Sequence, residues 1–256
     1  MEVHHHPTVE KKTFKEYFFE FIMIFLAVTV GFFAETFREN VTEHKRAREF
    51  AESMVKDLQE DTIQLKSYKV YFNYAANNID TLQQLLANAE PKDIPPGKLY
   101  WYGLFGGARR YFVPNDETFQ QMKSSGSLRY FGKKIAATVA RYDRFCRLIQ
   151  SNEEMQQNLY VEVRKLRSQI FDFKYNDRAN TIAQNYYKKA DYGLIDSFLK
   201  TDPPLLSDDK TIFNEYVELV RSRFIRTANI AYSDSLLHQA AVLLNELKTV
   251  YHLKDQ

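Results

Sequence analysis

The sequence predicts an all-α protein, in which an N-terminal transmembrane helix continues into a long stalk and then into an antiparallel helical bundle. Three observations lead to this fold class. The 256 residues include only 8 glycines and 7 prolines, roughly half the usual share. Residues 21–34 carry no charge, and apolar residues then recur at intervals of seven as far as Leu86. Long helices, one of them in a membrane, explain all three features.

Composition excludes several classes of protein. The 35 Lys and Arg residues nearly balance 33 Asp and Glu residues, for a net charge of +2. A nucleic-acid-binding protein that depends on a large basic excess is therefore excluded, and we expect no nucleic-acid partner. An apolar content of 45% excludes a disordered acidic chain. The single cysteine, Cys146, excludes an intramolecular disulfide and a cysteine-based structural zinc site.

The transmembrane helix is assigned to residues 17–37, after an N-terminal tail of residues 1–16. Residues 18–34 read FFEFIMIFLAVTVGFFA, and with their apolar neighbours they provide the span of about 20 residues that a bilayer requires. The segment is apolar on every face, unlike an amphipathic surface helix. A buried core helix of a soluble protein is the alternative. A cleavable signal peptide is disfavoured because no small-residue cleavage site follows.

Charges beside the span favour one orientation. Lys11, Lys12 and Lys15 precede it within a short tail, and four positive residues follow it, so the two counts are nearly equal. Those that follow are Arg38, Lys45, Arg46 and Arg48, and Arg38 lies among glutamates. Since positive residues remain on the cytoplasmic side, we expect a single-pass membrane protein with its N-terminus inside the cytoplasm and its large C-terminal part outside.

The stalk is expected over residues 38–90. No glycine or proline occurs between Ala34 and Glu90, and two rows of residues at a and d spacing form a seam interrupted by Asp61. The first row is Phe37, His44, Ala51, Leu58, Leu65, Phe72, Ile79 and Leu86, and the second is Ala47, Met54, Asp61, Tyr68, Ala75 and Leu82. A coiled coil of this kind would also permit a homo-oligomer through the stalk.

Residues 91–132 are expected to form an aromatic loop and a short helix. Eight of the fifteen glycines and prolines lie between Pro91 and Pro114. Asn115 is suited to cap a helix that follows it. Gly126 is suited to end that helix in the left-handed conformation.

The remaining residues, 133–256, are assigned to the bundle. Apolar spacing predicts a long helix over 133–173, weaker helices over 177–189 and 194–199, and a last helix over 209–251. Asp208 or Asp209 would cap the last one. The bundle would then consist of the helices 35–89, 133–173 and 209–251.

Four segments carry a family resemblance. They read MEVHHH, KEYFFEFIMIFLAVTVGFFAETFRE, AESMVKDLQEDT and TFQQMKSSGSLRYF. Together they resemble an uncharacterised family of single-pass inner-membrane helical proteins from Bacteroidota, over roughly the first 150 residues. The resemblance implies an anchor in the inner (cytoplasmic) membrane with a helical domain, and it supplies no catalytic residues. With the N-terminus inside, the large C-terminal part would then be periplasmic. It also suggests that His4, His5 and His6 belong to the native chain.

Two candidate sites lie near the N-terminus. Glu20 places a carboxylate within the membrane segment, where an acidic residue is costly and is by default a functional hypothesis. It would serve at the headgroup interface, in a helix–helix contact or in proton coupling. The three histidines are possible metal ligands, although consecutive residues in a tail make a poor preformed site.

The aromatic loop is the main candidate for partner binding, because aromatic residues and arginine dominate binding hot spots. Its candidate residues are Tyr100, Trp101, Tyr102, Phe105, Arg109 and Arg110. The alternative is that the rings cap the bundle and fill its core. Cys146 lies among arginines that would activate a thiol, but its apolar stripe favours a buried position.

These features favour a non-enzymatic envelope protein that is a scaffold or a sensor-like binding module. The sequence contains no HExxH, GxSxG or GxGxxG motif, and we assign no catalytic residue, metal or cofactor. Expected partners are the lipid bilayer and other proteins. The alternative is a subunit of an ion-driven or transport complex that uses Glu20.

Overall fold

The computed structural model describes residues 13–188, 192–223 and 230–254, and it confirms the all-α fold. Across these residues the secondary structure consists of helices joined by short turns, with one isolated bridge between Phe171 and Leu205. The helices are α1 (Phe14–Asn88), α2 (Pro96–Leu104), α3 (Glu117–Ser124), α4 (Lys133–Ile170), α5 (Phe173–Lys188), α6 (Tyr192–Leu199), α7 (Lys210–Ser222) and α8 (Ala231–Tyr251). Short 3-10 turns cover Pro91–Asp93, Phe105–Gly107 and Ser127–Tyr130.

The chain divides into two units, Met1–Phe50 and Ala51–Gln256. The described part of the first unit is the N-terminal portion of α1. This helix is long and apolar enough to cross a membrane, and none of its apolar window is buried. Large side chains along the window, including Phe25 and Phe32, are more than half exposed.

The segment expected as a stalk is divided between the two units. From Ala51 onward its seam is buried within the second unit by other parts of the same chain. The buried members are Ala51, Met54, Leu58, Asp61, Leu65, Tyr68, Phe72, Ala75, Ile79 and Leu82. Over these residues the seam is covered within one chain and offers no apolar stripe to a second copy.

The second unit is built around α4, which packs against both α7 and α8. Asp209 caps α7, because its side chain accepts a 2.7 Å hydrogen bond from the backbone N–H of Thr211, as the sequence indicated. The single helix expected over 209–251 is instead described as α7 and α8. Arg223 ends α7, and residues 224–229 lie outside the described residues.

The expected aromatic loop is largely helical and lies in the core, which corrects the sequence interpretation. Tyr100, Trp101 and Phe105 are at most 4% exposed, and α2 packs against α5 and α6. The Tyr100 hydroxyl donates to the carbonyl of Pro204 at 2.7 Å and accepts from the N–H of Asp172 at 2.8 Å. These rings therefore fill the core, as the alternative interpretation held.

Close packing explains one glycine of this segment. A Cβ atom at Gly103 would lie 2.7 Å from the Phe171 ring, which is closer than any real contact. Phe171 in turn packs edge-on against Phe213 and Tyr216. The glycine thus lets α2 approach the aromatic core that joins it to α7.

The short helix α3 differs from expectation at its start and agrees at its end. Asn115 does not cap it, since Asp116 occupies the cap position without a side-chain hydrogen bond. The backbone N–H of Asn115 donates to Asp61 instead. Gly126 adopts the expected left-handed conformation, with φ of 68°.

Replacing Trp101 by alanine tests whether this segment is core. We expect Trp101→Ala to lower the free energy of unfolding by about 3–5 kcal/mol, because it removes a buried ring and leaves a cavity. Urea denaturation of the full chain in detergent micelles, followed by far-UV circular dichroism, measures the change. The exposed Arg110 supplies the control, and Arg110→Ala should alter stability by no more than about 0.5 kcal/mol. Equal effects of the two substitutions would contradict the assignment.

Candidate functional site

A cavity of about 270 Å³ lies within the second unit, between α1, the 114–123 segment, α4 and α8. Its apolar wall includes Met54, Leu58, Phe119, Val139 and Leu243. Its polar lining is Asp57, Asp61, Asn115, Asp116, Gln120, Lys123, Tyr142, Asp143, Cys146, Arg147 and Gln150. An apolar cavity with a few converging polar groups is the usual form of a small-molecule site.

Asp61 is the central polar residue of this cavity. It lies on the buried seam of α1 and is 0% exposed. Its Oδ1 accepts a 2.8 Å hydrogen bond from the backbone N–H of Asn115, and its Oδ2 accepts a 2.6 Å bond from the Tyr142 hydroxyl. A buried carboxyl group needs such donors, so this pair of bonds joins α1 to α4 and to the segment before α3.

Burial raises the pKa of the Asp61 carboxyl group above its ordinary value. The hydrogen bonds from Tyr142 and Asn115 oppose this shift, and the nearby Asp57 and Glu60 add to it. The loss of water around the charged form is the largest of these effects. Asp61 therefore holds its proton to a higher pH than a solvated aspartate does.

The neighbouring Tyr142 and Cys146 are held in their neutral forms. Burial raises the pKa of both groups far above their ordinary values, and the negative charge of Asp61 raises them further. A thiol reacts as its thiolate, so a buried and protonated Cys146 is a poor nucleophile. Cys146 is 5% exposed, as its apolar stripe predicted.

Acidic residues outnumber basic residues in the lining of the cavity. Arg147 forms an ion pair with Asp143, one turn away on α4, which leaves Lys123 as the remaining cation of the lining. Asp116 accepts a 3.0 Å hydrogen bond from Gln120, and Asp57 is half-buried at the wall. Carboxyl groups thus outnumber cations, and the cavity favours a ligand that donates hydrogen bonds or carries positive charge.

A metal centre finds no support in the part of the chain that the structure describes. There, no three histidine, cysteine or acidic side chains converge as ligands. His4, His5 and His6 lie outside the described residues.

The residues proposed from sequence as partner-binding are not brought together in this cavity. Tyr100, Trp101 and Phe105 are buried in the core, which rules them out as an exposed recognition surface. Tyr102 is half-buried, whereas Arg109 and Arg110 are exposed elsewhere in the unit. Glu20 lies on the exposed surface of α1 within the first unit.

Sequence reasoning missed the residues that form the cavity. Asp61 stood out only as an interruption of the apolar seam, and Tyr142 only as a member of the α4 stripe. A lone carboxylate in a seam otherwise filled by apolar and aromatic side chains is a usable signal, because a buried acid requires a partner. Its partner Tyr142 lies 81 residues further along the chain, where spacing provides no indication.

No protein-family model, curated protein or solved structure matches the chain. The resemblance to a Bacteroidota membrane-protein family therefore remains a sequence-based prediction.

The raised pKa of Asp61 predicts how stability changes with pH. The folded state retains the proton above the pKa of the unfolded chain, so it binds more protons and loses stability as pH rises through this window. Asp61→Asn mimics the protonated form and removes this dependence. Relative to the variant, we expect the wild-type free energy of unfolding to fall from acid to neutral pH and then to level off.

Urea denaturation of the full chain in micelles at several pH values measures this difference. The exposed Asp196 on α6 provides the matched control, and Asp196→Asn should follow the wild-type curve at every pH. Parallel curves for wild type and Asp61→Asn would show that the Asp61 carboxyl group titrates as it does in the unfolded chain.

Proposed function

We propose that the protein is a membrane-anchored, non-enzymatic binding module, in which the second unit holds a small ligand in the cavity beside Asp61. The cavity itself is the observation that carries this proposal. The ligand class is a small organic cation with an apolar body, such as an alkylammonium ion. Binding of this kind corresponds to a sensor-like role.

Membrane anchoring is supported by the N-terminal part of α1. The core helix of a soluble protein is mostly buried, but the apolar window of α1 has no buried share. Leaving Phe25, Leu26, Phe32 and Phe33 in water would be unfavourable by about 25 cal/mol per Å² of apolar surface. A bilayer removes that surface from water. The three lysines before the span favour a cytoplasmic N-terminus. Together with the resemblance to inner-membrane proteins, this orientation leads us to propose the inner membrane and a periplasmic second unit.

The ligand class follows from the chemistry of the lining. Met54, Leu58, Val139 and Leu243 provide an apolar wall suited to a hydrocarbon body. Asp57 also lines the cavity, and its carboxylate forms no ion pair among the described residues. A cation in the cavity would pair with it.

Binding without turnover is the favoured chemistry of this site. Its three buried titratable groups, Asp61, Tyr142 and Cys146, all have raised pKa values. A tyrosine or a thiol that acts as a general base or a nucleophile near neutral pH needs a lowered pKa. The site therefore offers hydrogen bonds and charge rather than an activated nucleophile.

The alternative, an ion-driven or transport complex that uses Glu20, depends on the position of one acidic residue. A carboxylate in a membrane segment is a functional hypothesis by itself. The cavity beside Asp61 adds nothing to it, because Glu20 lies in the other unit. We therefore place the binding module first.

Anchoring predicts how the chain behaves in membrane fractions. The full chain should remain with the membrane pellet through alkaline and high-salt washes, because an apolar span is held by the hydrophobic effect and not by charge. A chain lacking residues 1–34 should be found in the soluble fraction. Immunoblots of both fractions measure the outcome, and release of the full chain by alkali would overturn the membrane assignment.

Ligand binding is tested with two probes of equal carbon skeleton, butylammonium and butanoate. We expect the full chain in detergent micelles to bind butylammonium saturably in ligand-observed NMR titrations, and to bind butanoate far more weakly. Asp57→Asn should weaken butylammonium binding about tenfold, as loss of one hydrogen bond to a charged group does.

Asp196→Asn is again the matched control, since it removes one carboxylate of the same unit outside the cavity. It should leave butylammonium binding unchanged. Equal binding of the two probes, or equal weakening by the two substitutions, would contradict a cation site in the cavity.

A further inference from the structure

A second hollow of the same unit has the opposite charge character. It is a groove of about 740 Å³ that shares no lining residue with the cavity beside Asp61. The 104–109 segment, α4, α5 and Tyr71 of α1 enclose it. Three arginines, Arg109, Arg164 and Arg167, line the groove, and Asp177 is the acidic residue of its lining.

The arginines are organised around Tyr160. The guanidinium carbon of Arg109 lies 4.9 Å from the centre of the Tyr160 ring, and that of Arg164 lies 5.8 Å from it. Arg109 also lies over Tyr111, at 4.5 Å. Stacking on aromatic faces orients a guanidinium group while leaving its N–H donors available at the edge.

Arg223 adds a third guanidinium group to the same ring, 5.5 Å from its centre. This side chain is only 2% exposed. It donates to the carbonyls of Gly106 and Ala108, the latter at 2.8 Å, and its Nε has no hydrogen-bond partner among the described residues. Burial lowers the pKa of Arg223, which reflects the cost of this uncompensated charge.

Within the described residues, none of these four arginines forms an ion pair with a carboxylate. The nearby acid is Glu153, which lines a small hollow with Arg109 and Arg223. Its own carboxylate accepts from the N–H of Phe112 at 3.1 Å. Several like charges close together repel one another, so an anion bound among these guanidinium groups would stabilise the cluster.

Two further groups of the groove, the Arg167 guanidinium group and the Asn176 side-chain oxygen, bear on the kind of ligand it could bind. Arg167 is held by a 3.3 Å hydrogen bond from its Nη1 to the carbonyl of Leu104. The Oδ1 atom of Asn176 is buried at the groove and accepts no hydrogen bond among the described residues. An anionic ligand that also carries a hydroxyl group would satisfy both kinds of group.

We propose that this groove binds a small molecule carrying phosphate or carboxylate groups. Arg109, Arg164 and Arg167 supply the positive charge, and arginine forks match the geometry of both oxyanions. The buried Arg223 strengthens the positive potential behind Tyr160. This second site is independent of the cation cavity, so either can fail without the other.

Isothermal titration calorimetry of the full chain in nonionic micelles tests the proposal, with pyrophosphate and citrate as probes. We expect saturable binding of at least one probe, and the tighter of the two identifies the oxyanion. The double variant Arg109→Gln/Arg164→Gln should weaken that binding at least tenfold. Both side chains are exposed and make no hydrogen bond among the described residues, so loss of their stacking on Tyr160 should leave the fold intact.

The matched control is Arg141→Gln/Arg144→Gln, which removes the same charge from exposed positions of α4 outside the groove. It should change binding less than twofold. The single variant Arg164→Gln repeats the test with a smaller change if the double variant melts early. Absence of saturable binding by both probes, or equal weakening by both pairs of substitutions, would overturn the proposal.

Discussion

Burial of the α1 seam between Ala51 and Leu82 is the constraint on which the second unit depends. This stripe is covered by other parts of the same chain, so the remaining helices must be arranged around it. One helix thus has two different environments. Its N-terminal part exposes apolar side chains on all faces, whereas its C-terminal part presents one apolar stripe to a protein core and polar residues to water. The absence of glycine and proline between Ala34 and Glu90 allows one continuous helix to pass through both environments.

Asp61 is the one charged residue of that buried seam between Ala51 and Leu82, and it lines the cavity. A carboxyl group in an apolar seam cannot be packed as tightly as leucine, because its oxygens need donors at fixed positions. Asn115 and Tyr142 provide those donors and bring polar groups to the wall. The hydrogen bond between Tyr142 and Asp61 joins α1 to α4 at this level, and the cavity beside it has both apolar and carboxyl groups in its lining.

The near-zero net charge of the chain conceals a separation of charge within the second unit. Carboxyl groups dominate the cavity beside Asp61, and guanidinium groups dominate the groove beside Tyr160. Each hollow has one buried charged residue beside it, Asp61 at the cavity and Arg223 at the groove, and electrostatic interactions of buried groups are stronger than those at an open surface. This separation of charge is the basis on which we propose two ligands of opposite charge.

The sequence by itself determined the features that depend on neighbouring residues. The all-α class, the exposed apolar segment of α1, the Asp209 cap and the left-handed Gly126 all follow from composition, spacing and local backbone preference. Only the tertiary structure decided that Trp101 is buried instead of exposed, that Asn115 serves Asp61 instead of capping α3, and that Tyr142 meets Asp61. The physical reason is range: capping and periodicity act within a few residues, whereas these contacts depend on which helix faces meet across the core.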